Sequence, residues 1–285
     1  MKNPFKPKRA PLNLPIPKGG PSDDYHAYVI WSGGPDSTVA LRHAMQVCRH
    51  VTAVSFNYGQ ENWNEERLAQ KWYLENNNFE AKMQGRFKHI VLEIAYEFFP
   101  HNPLAGAPPE VRYDTLADVK GSTAAIETPF RNGMFLAAIA PRISDTNGKR
   151  IPVVVTGCIE GGATVAHSDV TPRFHKTAGM FLSSALGRTV LVSGPLLRCN
   201  KHDVFRYGSF VLGINLSMTR SCIGSEAHHC GRCFPCQLRR RAFYLSDTPD
   251  HTPYDAPWDF DDADCVAFRT EGKLPAPQKY NPKWD

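Results

Sequence analysis

The chain has 285 residues, of which 42% are hydrophobic and 21% charged, and its formal net charge is +5. This size and composition are typical of one large or two small globular domains. The longest apolar run, near residues 134–140, is too short to cross a bilayer, and the basic N-terminus lacks the apolar core of a signal peptide. We therefore expect a cytoplasmic protein without a membrane partner.

Charge is distributed unevenly along the chain. Residues 1–20 contain five Lys or Arg and no acid, and residues 246–285 contain nine acids against four bases. Residues 1–24 are predicted to form a flexible, basic, proline-rich arm. Residues 246–285 are predicted to form an acidic, proline-rich tail that packs on the body through its large aromatic residues, which are Trp258, Phe260, Phe268 and Trp284. The mild positive balance suits a phosphate-rich small ligand as well as a nucleic acid.

Between the two ends, short apolar runs alternate with helix-like stretches. Strands are predicted near residues 27–31, 51–56, 89–94, 151–156 and 189–193, and helices near 36–49, 61–77, 131–143, 173–186 and 201–212. Such alternation predicts an α/β domain over residues 25–215, with a doubly wound, mostly parallel sheet of about five strands. Ligands of such sheets bind outside the carboxyl ends of the strands.

A glycine-rich turn, SGGPDS at residues 32–37, joins the first predicted strand to the first helix. Adjacent glycines let backbone N–H groups approach a ligand, and the first turn of a helix favours an anion. Ser32, Ser37 and Thr38 add hydroxyl groups, whereas Asp36 suits a phosphate site only if it holds a cation or caps the helix. No Gly-Lys-Ser/Thr follows, so this turn is not a P-loop. A turn that merely happens to be glycine-rich is the alternative.

Four of the eight cysteines lie within residues 216–245 at zinc-ligand spacing, namely Cys222, Cys230, Cys233 and Cys236. Four thiolates suffice for a closed, structural Zn²⁺ site. An iron–sulfur cluster, a redox pair, or replacement of one cysteine by His228 or His229 are alternatives. The run Arg239–Arg241 follows directly, and such a run is usually a solvated helix face, although it could also contact phosphate or RNA.

The turn resembles the PP-loop signature of the ATP pyrophosphatases, and further segments resemble one family of that superfamily in order. These segments are FNYGQENWNEE (56–66), TPFRNGMFLAAIA (128–140), GPLLRCNKHDVFRYG (194–208) and CGRCFPCQLRRRAF (230–243). Over residues 25–245 the chain is thus similar to the 7-cyano-7-deazaguanine synthases of queuosine and deazapurine biosynthesis. The resemblance implies that ATP adenylates the carboxylate of 7-carboxy-7-deazaguanine. Ammonia then displaces AMP to give an amide, and a second ATP drives dehydration to the nitrile.

The resemblance also implies roles for individual residues, with Mg²⁺ accompanying ATP. The expected catalytic residues are Asp36, Arg131 and Lys201. Nucleotide contacts are expected from Ser32, Gly33, Gly34, Asp36, Ser37, Thr38, Tyr58, Asn132 and Gly157. Substrate contacts are expected from Tyr58, Gln60, Arg131, Asn132, Asp169 and Arg173. The alternatives are a packed aromatic for Tyr58, a surface pair for Arg131 and Asn132, and a solvated helix lysine for Lys201. We also expect a homodimer.

The segment 157–174 departs from the family pattern. The family carries a run similar to Gly-Tyr-Pro-Asp-Cys-Arg after the fourth strand. This chain begins the segment with Gly157-Cys158 but lacks the Tyr-Pro and the Cys-Arg. We expect Asp169 to take the place of the family's aspartate and Arg173 that of its arginine. An acid matters because a guanine-like edge offers N–H donors. Cys158 and His167 could be paired as nucleophile and base, but a buried cysteine and a loop histidine are the favoured interpretation because no third orienting group follows.

This departure leaves other functions open. One is a divergent relative that passes the adenylated deazapurine to a protein or a nucleobase, as in an anti-phage or DNA-modification system. Another is a zinc-containing nucleic-acid-binding module with a relic PP-loop, using Arg232 and Arg239–Arg241. Sulfur transfer is less favoured because Cys158 and Cys199 have no activating neighbours in sequence.

Overall fold

Apolar and β-branched runs form a parallel sheet at the centre of the protein. The computed structural model describes residues 19–99, 128–144, 148–159 and 168–256. Its strands are β1 (Ser22–Ile30), β2 (Cys48–Asn57), β3 (Phe87–Glu93), β4 (Ile151–Val155) and β5 (Leu191–Ser193). The spatial order is β3-β2-β1-β4-β5, and every neighbouring pair is parallel. The order reverses direction between β1 and β4, which is where such sheets bind ligands.

Helices connect the strands in the described ranges. They are α1 (Pro35–Val47), α2 (Trp63–Asn77), α3 (Phe79–Lys82), α4 (Arg131–Ser144), α5 (Pro172–Leu186), α6 (Lys201–Arg206) and α7 (Phe234–Ser246). A π-helical turn, Tyr207–Val211, continues α6, and short 3-10 turns occur at Tyr96–Phe98, Ser168–Val170 and Leu216–Met218. None of the helices in these ranges has the length and hydropathy needed to span a membrane.

Side chains alternate between two hydrophobic cores, one on each face of the sheet. Ala27, Val29 and Trp31 of the β1 region pack with α1, α2, α6 and α7, whereas Tyr28 packs with α4 and α5. Because successive residues of a strand point to opposite faces, this division places helices on both sides of the sheet. The predicted doubly wound α/β fold is thus confirmed.

The start of β1 and the geometry after α6 differ from the sequence-based prediction. β1 begins at Ser22, so its first residues lie inside the arm predicted for residues 1–24. Polar side chains hold this extension: the Asp23 carboxylate pairs with Arg49, His50 and Arg150 at 3.0–3.5 Å. The helix predicted over 201–212 instead changes from α to π geometry after Arg206.

Two of the three arginines in the run of α7 are buried, contrary to the predicted solvated face. Arg239 is fully buried and donates to the hydroxyl groups of Thr219, Ser221 and Thr252. Arg240 stacks on the Tyr254 ring at 3.9 Å. These bonds fasten α7 to residues 216–221 and 252–256, so the interpretation as a solvated or RNA-binding run is wrong for Arg239 and Arg240.

The first part of the acidic tail packs against the cysteine-rich segment. His229 and Tyr254 form a bridge between the two, and Thr252 and Ala256 are buried. The tail aromatics on which the docking prediction rests, Trp258, Phe260, Phe268 and Trp284, lie outside the described residues, as do residues 1–18 of the arm. The domain boundaries therefore remain predictions.

Candidate active site

A cavity of about 430 Å³ lies at the switch point of the sheet, where the loops after β1, β2 and β4 meet. The glycine-rich turn and Lys201 contribute one group of lining residues, and the segment 56–66, the start of α4 and Asp169 contribute another. The carboxyl ends of parallel strands converge at this edge, so residues distant in sequence share one chamber.

The glycine-rich turn is shaped by its own hydroxyl groups. Gly33 has φ +81°, and Gly34 is the N-cap of α1 without a side-chain cap. The Ser37 hydroxyl donates to the Gly34 carbonyl at 3.1 Å and accepts from the Ser32 backbone N–H at 3.2 Å. Gly34, Asp36 and Ser37 line the cavity, which therefore receives the positive end of the α1 dipole.

Two predicted nucleotide contacts have structural roles in this region. Thr38 is fully buried, and its hydroxyl accepts from Trp31 Nε1 at 3.0 Å, so Thr38 is not among the residues that line the cavity. Gly157 lines the cavity, and a Cβ atom there would lie 2.7 Å from the backbone nitrogen of Ser37. Glycine at position 157 therefore lets the loop after β4 lie directly against the turn.

Asp36 and Lys201 form an ion pair across the mouth of α1. Lys201, the first residue of α6, donates from Nζ to Asp36 Oδ2, and both side chains are three-quarters buried or more. Lys201 is thus a cavity residue and not a solvated helix lysine. Asp36 Oδ1 is buried without a hydrogen-bond partner among the described residues. A free carboxylate oxygen beside an anion-binding turn fits a hard cation such as Mg²⁺.

Gln60 organises the loop after β2. Its amide nitrogen donates to Phe56 O at 2.9 Å and to Glu66 Oε2 at 3.0 Å, and its amide oxygen accepts from Tyr58 N at 2.9 Å. Both N–H groups and the oxygen are thus engaged within the protein. Gln60, which was predicted to contact the substrate, lines the cavity. Its hydrogen bonds are to Phe56, Glu66 and Tyr58, so its chief role in the structure is to position Glu66 and Tyr58.

Glu66 is a cavity residue that the sequence analysis missed. Burial raises the pKa of this carboxyl to about 7, although the Gln60 hydrogen bond and the charges of Arg131 and Arg220 act in the opposite direction. Glu66 belongs to the segment 56–66 and to the first turn of α2. Its position in a segment that resembles the family was the one sequence feature that could have pointed to a role in the cavity. A glutamate in the first turn of a helix is, however, also common because it interacts favourably with the helix dipole.

The start of α4 forms the opposite wall. Arg131 Nη1 lies 3.4 Å from the Tyr58 hydroxyl, and burial raises the pKa of Tyr58. The Asn132 backbone N–H donates to Asp169 Oδ2 at 3.3 Å. The structure thus brings together Tyr58, Arg131, Asn132 and Asp169 in the lining of one cavity, and their role in binding a substrate stays a prediction.

The remaining candidates of segment 157–174 separate. Burial raises the pKa of the Cys158 thiol to about 11, so this thiol remains protonated and is a poor nucleophile. Arg173 is exposed on α5 and is not among the residues that line the cavity, so the structure does not bring it to the expected position. His167 lies outside the described residues.

The cysteine cluster is assembled as a compact site. The sulfur atoms of Cys222, Cys230, Cys233 and Cys236 all lie within 4.8 Å of one another. Hydrogen bonds from the other three thiols lower the pKa of Cys230 well below its ordinary value. His229 accepts from the Ser221 N–H through Nε2, which leaves the all-cysteine set as the candidate for one tetrahedral metal ion.

The cysteine segment contacts both ends of the cavity. Asn62, which lines the cavity, donates from Nδ2 to Cys222 O at 2.9 Å. The Arg220 backbone N–H donates to Gly33 O at 3.0 Å, within the glycine-rich turn. The segment therefore supports the site, and Arg220, which also lines the cavity, is a second residue that the sequence analysis missed.

The profile of the family described as "Queuosine biosynthesis protein QueC" matches residues 26–246. A 7-cyano-7-deazaguanine synthase of Magnetococcus marinus is 26% identical over 81% of this chain and 97% of its own. One from Nitratiruptor sp. is 29% identical over 80% of this chain and 98% of its own. A solved 4-thiouridine synthetase–RNA complex with bound ATP is 18% identical, covering 79% of this chain and 50% of its own, with a TM-score of 0.37. The chain belongs to the QueC family of queuosine biosynthesis proteins.

Proposed function

We propose that the chain is an ATP-dependent, AMP-forming ligase that converts 7-carboxy-7-deazaguanine and ammonia to the amide and then the nitrile. Membership of the QueC family and the name of its relatives support this assignment. The observation that carries the proposal is the Asp36–Lys201 pair at the mouth of α1, which faces a wall of amide, guanidinium and carboxylate groups in one cavity. Such an arrangement suits a nucleotide at one end and a polar base at the other.

The glycine-rich turn would bind the β- and γ-phosphates of ATP. Backbone N–H groups at the start of α1 stabilise negative charge, which grows on pyrophosphate as the α–β bond breaks. Lys201 already lies beside Asp36 at this point and would neutralise charge near the α-phosphate. Asp36 Oδ1 would hold Mg²⁺, which supplies neutralisation of the phosphate oxygens when bound.

The opposite wall would hold the base. Asp169 and Glu66 supply carboxyl groups that can pair with the N–H donors of a guanine-like edge, and Arg131 supplies donors for a carboxylate or carbonyl. With the base held there, its carboxylate would point along the cavity toward the α-phosphate. Positioning of this kind accounts for much of the rate of such a displacement.

Each step balances in atoms and charge. A carboxylate oxygen attacks the α-phosphorus, pyrophosphate leaves, and an acyl-adenylate forms. Ammonia attacks the acyl carbon, AMP leaves with the former carboxylate oxygen, and the nitrogen loses a proton to give the amide. The amide oxygen then attacks the α-phosphorus of a second ATP, and a second pyrophosphate leaves. The C–O bond of this adenylated amide breaks with loss of AMP, and the nitrogen loses two protons to give the nitrile.

We further propose that Cys222, Cys230, Cys233 and Cys236 hold Zn²⁺ in a structural role. The four sulfur atoms lie close enough to bind one ion, and four protein ligands leave no open coordination position. The ion would stabilise the loops that carry Asn62 and Gly33 through the two bonds described above.

The proposal is tested by mass spectrometry of products formed from 7-carboxy-7-deazaguanine, ammonium and Mg-ATP by the zinc-containing chain. AMP together with the amide or nitrile, lost in Asp36→Ala but retained in Glu75→Gln, is the expected result. Glu75 is a suitable control because its carboxylate is exposed on α2, where it pairs with Lys71 at 3.8 Å. No ATP consumption by the unmodified chain would contradict the proposal.

The same assay separates the alternatives. AMP with an adenylated base and no nitrile would favour transfer to another acceptor, such as a protein or nucleobase. Arg173 is not among the residues that line the cavity, so it does not replace the family's arginine there. The departure from the family pattern would therefore affect which base or acceptor the site binds. A nucleic-acid-binding role is weakened by the burial of Arg239 and Arg240, which leaves Arg232 as the exposed arginine of that set.

A further inference from the structure

Arg220 is tied to the glycine-rich turn through its backbone. Its N–H donates to Gly33 O at 3.0 Å, and a Cβ atom at Gly34 would lie 3.3 Å from Arg220 O. Arg220 therefore lies directly beside the two glycines that precede α1. Arg220 is among the residues that line the same cavity.

The guanidinium group of Arg220 is fixed on one edge and free on the other. The side of the group that carries Nη1 and Nη2 donates to His228 O at 3.1 Å and to Gly224 O at 2.5 Å. Nε is buried without a hydrogen-bond partner in the described ranges. The residue as a whole is 6% exposed.

The positive charge of Arg220 also lacks an ion-pair partner within the described part of the chain. The ion pairs found there join other residues, and the Glu66 carboxyl acts on Arg220 only at longer range. A buried N–H of a charged group that makes no hydrogen bond is costly, and a buried charge without a counter-ion is more so. An anion in the cavity would satisfy both requirements.

We propose that Arg220 binds a phosphate oxygen of the pyrophosphate group, both in ATP and in the leaving pyrophosphate. This inference rests on the proposed function and adds a binding residue to it. Phosphate is favoured over the substrate carboxylate because Arg220 adjoins Gly33 and Gly34, where the N–H groups of the turn and the α1 dipole favour the same anion. The two carbonyl groups of the cysteine segment pre-organise the guanidinium, so little side-chain entropy is lost on binding.

The test measures binding of inorganic pyrophosphate, with Mg²⁺, to the full zinc-containing chain by calorimetry. Arg220→Gln is expected to weaken binding roughly 10- to 100-fold, since hydrogen bonds to charged groups contribute on this scale. Arg232→Gln is the matched control, because Arg232 lies in the same segment but is exposed and does not line the cavity. Its affinity for pyrophosphate should equal that of the unmodified chain.

Arg220→Gln also removes the bonds to His228 O and Gly224 O, so a local change of structure must be distinguished from the loss of a direct contact with pyrophosphate. Zinc content is measured for each variant, and Arg220→Lys keeps the charge while removing the Nε–H. In the unmodified chain, the Arg220 Nε–H resonance is assigned as the one missing from the ¹H–¹⁵N spectrum of Arg220→Lys. This resonance should shift on saturation with pyrophosphate.

The outcomes distinguish the two proposals. If the unmodified chain binds neither pyrophosphate nor ATP, the proposed function fails. If it binds pyrophosphate but the Arg220 Nε–H resonance does not move, the inference about Arg220 is wrong while the proposed function stands. An Arg220→Gln variant that loses only the carboxylated base, and not pyrophosphate, would likewise overturn the assignment to phosphate.

Discussion

The two ends of the cavity are built in different ways. The end proposed to bind phosphate, here called the phosphate end, consists chiefly of consecutive residues of one turn, with Lys201 added from α6 and Arg220 from the cysteine segment. The substrate end is assembled from three separate parts of the chain: residues 56–66, the start of α4 and the 3-10 turn that contains Asp169. A backbone-built anion site needs a local sequence pattern, whereas a wall for a base needs only that distant side chains meet.

This difference has an energetic counterpart. The proposed binding of phosphate at the turn would draw on N–H groups that are oriented before the ligand arrives. At the substrate end, the polar groups already bond to one another, as Gln60 does to Glu66 and Asn132 to Asp169. Substitutions at the phosphate end are therefore expected to lower the rate of the chemical step, and those at the substrate end chiefly to weaken binding of the base.

Loss of the metal site should have the largest effect, because the cysteine segment contacts both ends. Cys230→Ser should lower bound zinc from about one ion per chain to near zero and make residues 216–256 sensitive to protease, since a structural zinc contributes directly to folding. Metal analysis and limited proteolysis provide the measurement. Cys48→Ala, which changes a buried cysteine of the sheet core, should keep its zinc. Full zinc content in Cys230→Ser would contradict the site.

Lys201→Met tests the phosphate end. Removal of the ammonium beside Asp36 should reduce kcat about a hundredfold with a smaller change in KM for the base, because the charge acts on the transition state. Steady-state measurement of AMP release provides both constants. Lys71→Met, at an exposed lysine of α2, is the control. Equal kcat in Lys201→Met and the unmodified chain would remove Lys201 from the mechanism.

Asp169→Asn tests the substrate end. The change weakens the bond to the Asn132 N–H and removes an acceptor for the base, so KM for the base should rise about tenfold, while kcat falls less. Asp24→Asn, at the far end of β1, should leave both constants unchanged. A loss of kcat in Asp169→Asn without a rise in KM for the base would contradict the assignment of Asp169 to binding of the base.

Glu66→Gln should have the smallest effect, visible in the pH dependence of stability. The folded pKa of about 7 lies above the ordinary value of 4.5, so the proton is retained in the folded state while the unfolded state releases it. The contribution of Glu66 to the free energy of unfolding is therefore largest below pH 4.5, and it declines as the pH rises to about 7. Urea unfolding at several pH values should show a weaker decline in Glu66→Gln, and Glu75→Gln should follow the unmodified chain. Parallel curves would contradict the raised pKa.

Local patterns made much of this molecule predictable. The strands, the glycine-rich turn and the four cysteines each carry their signal in a few adjacent residues, and the structure has them as expected. The first residues of β1 escaped prediction because they are polar and are held by an ion-pair network instead of a core. A strand without apolar alternation has no periodic signal.

Residues whose roles depend on tertiary contacts were not predictable. In the sequence, Arg239 and Arg240 resemble a solvated run. They are buried because Thr252 and Tyr254 of the tail pack against them. Glu66 and Arg220 have no motif of their own and become cavity residues only when α2 and the cysteine segment pack beside the turn. Arg173 is close in sequence to Asp169, but it lies at the start of α5 and is exposed.

The most direct test of the central claim follows one oxygen atom. The substrate carboxylate is labelled with oxygen-18, and AMP released by the unmodified chain with Mg-ATP and ammonium is analysed by mass spectrometry. Adenylation at the carboxylate predicts one labelled oxygen in each AMP, because the attacking oxygen leaves with the nucleotide. Unlabelled AMP, or formation of ADP and phosphate instead, would contradict the assignment of this cavity to carboxylate adenylation.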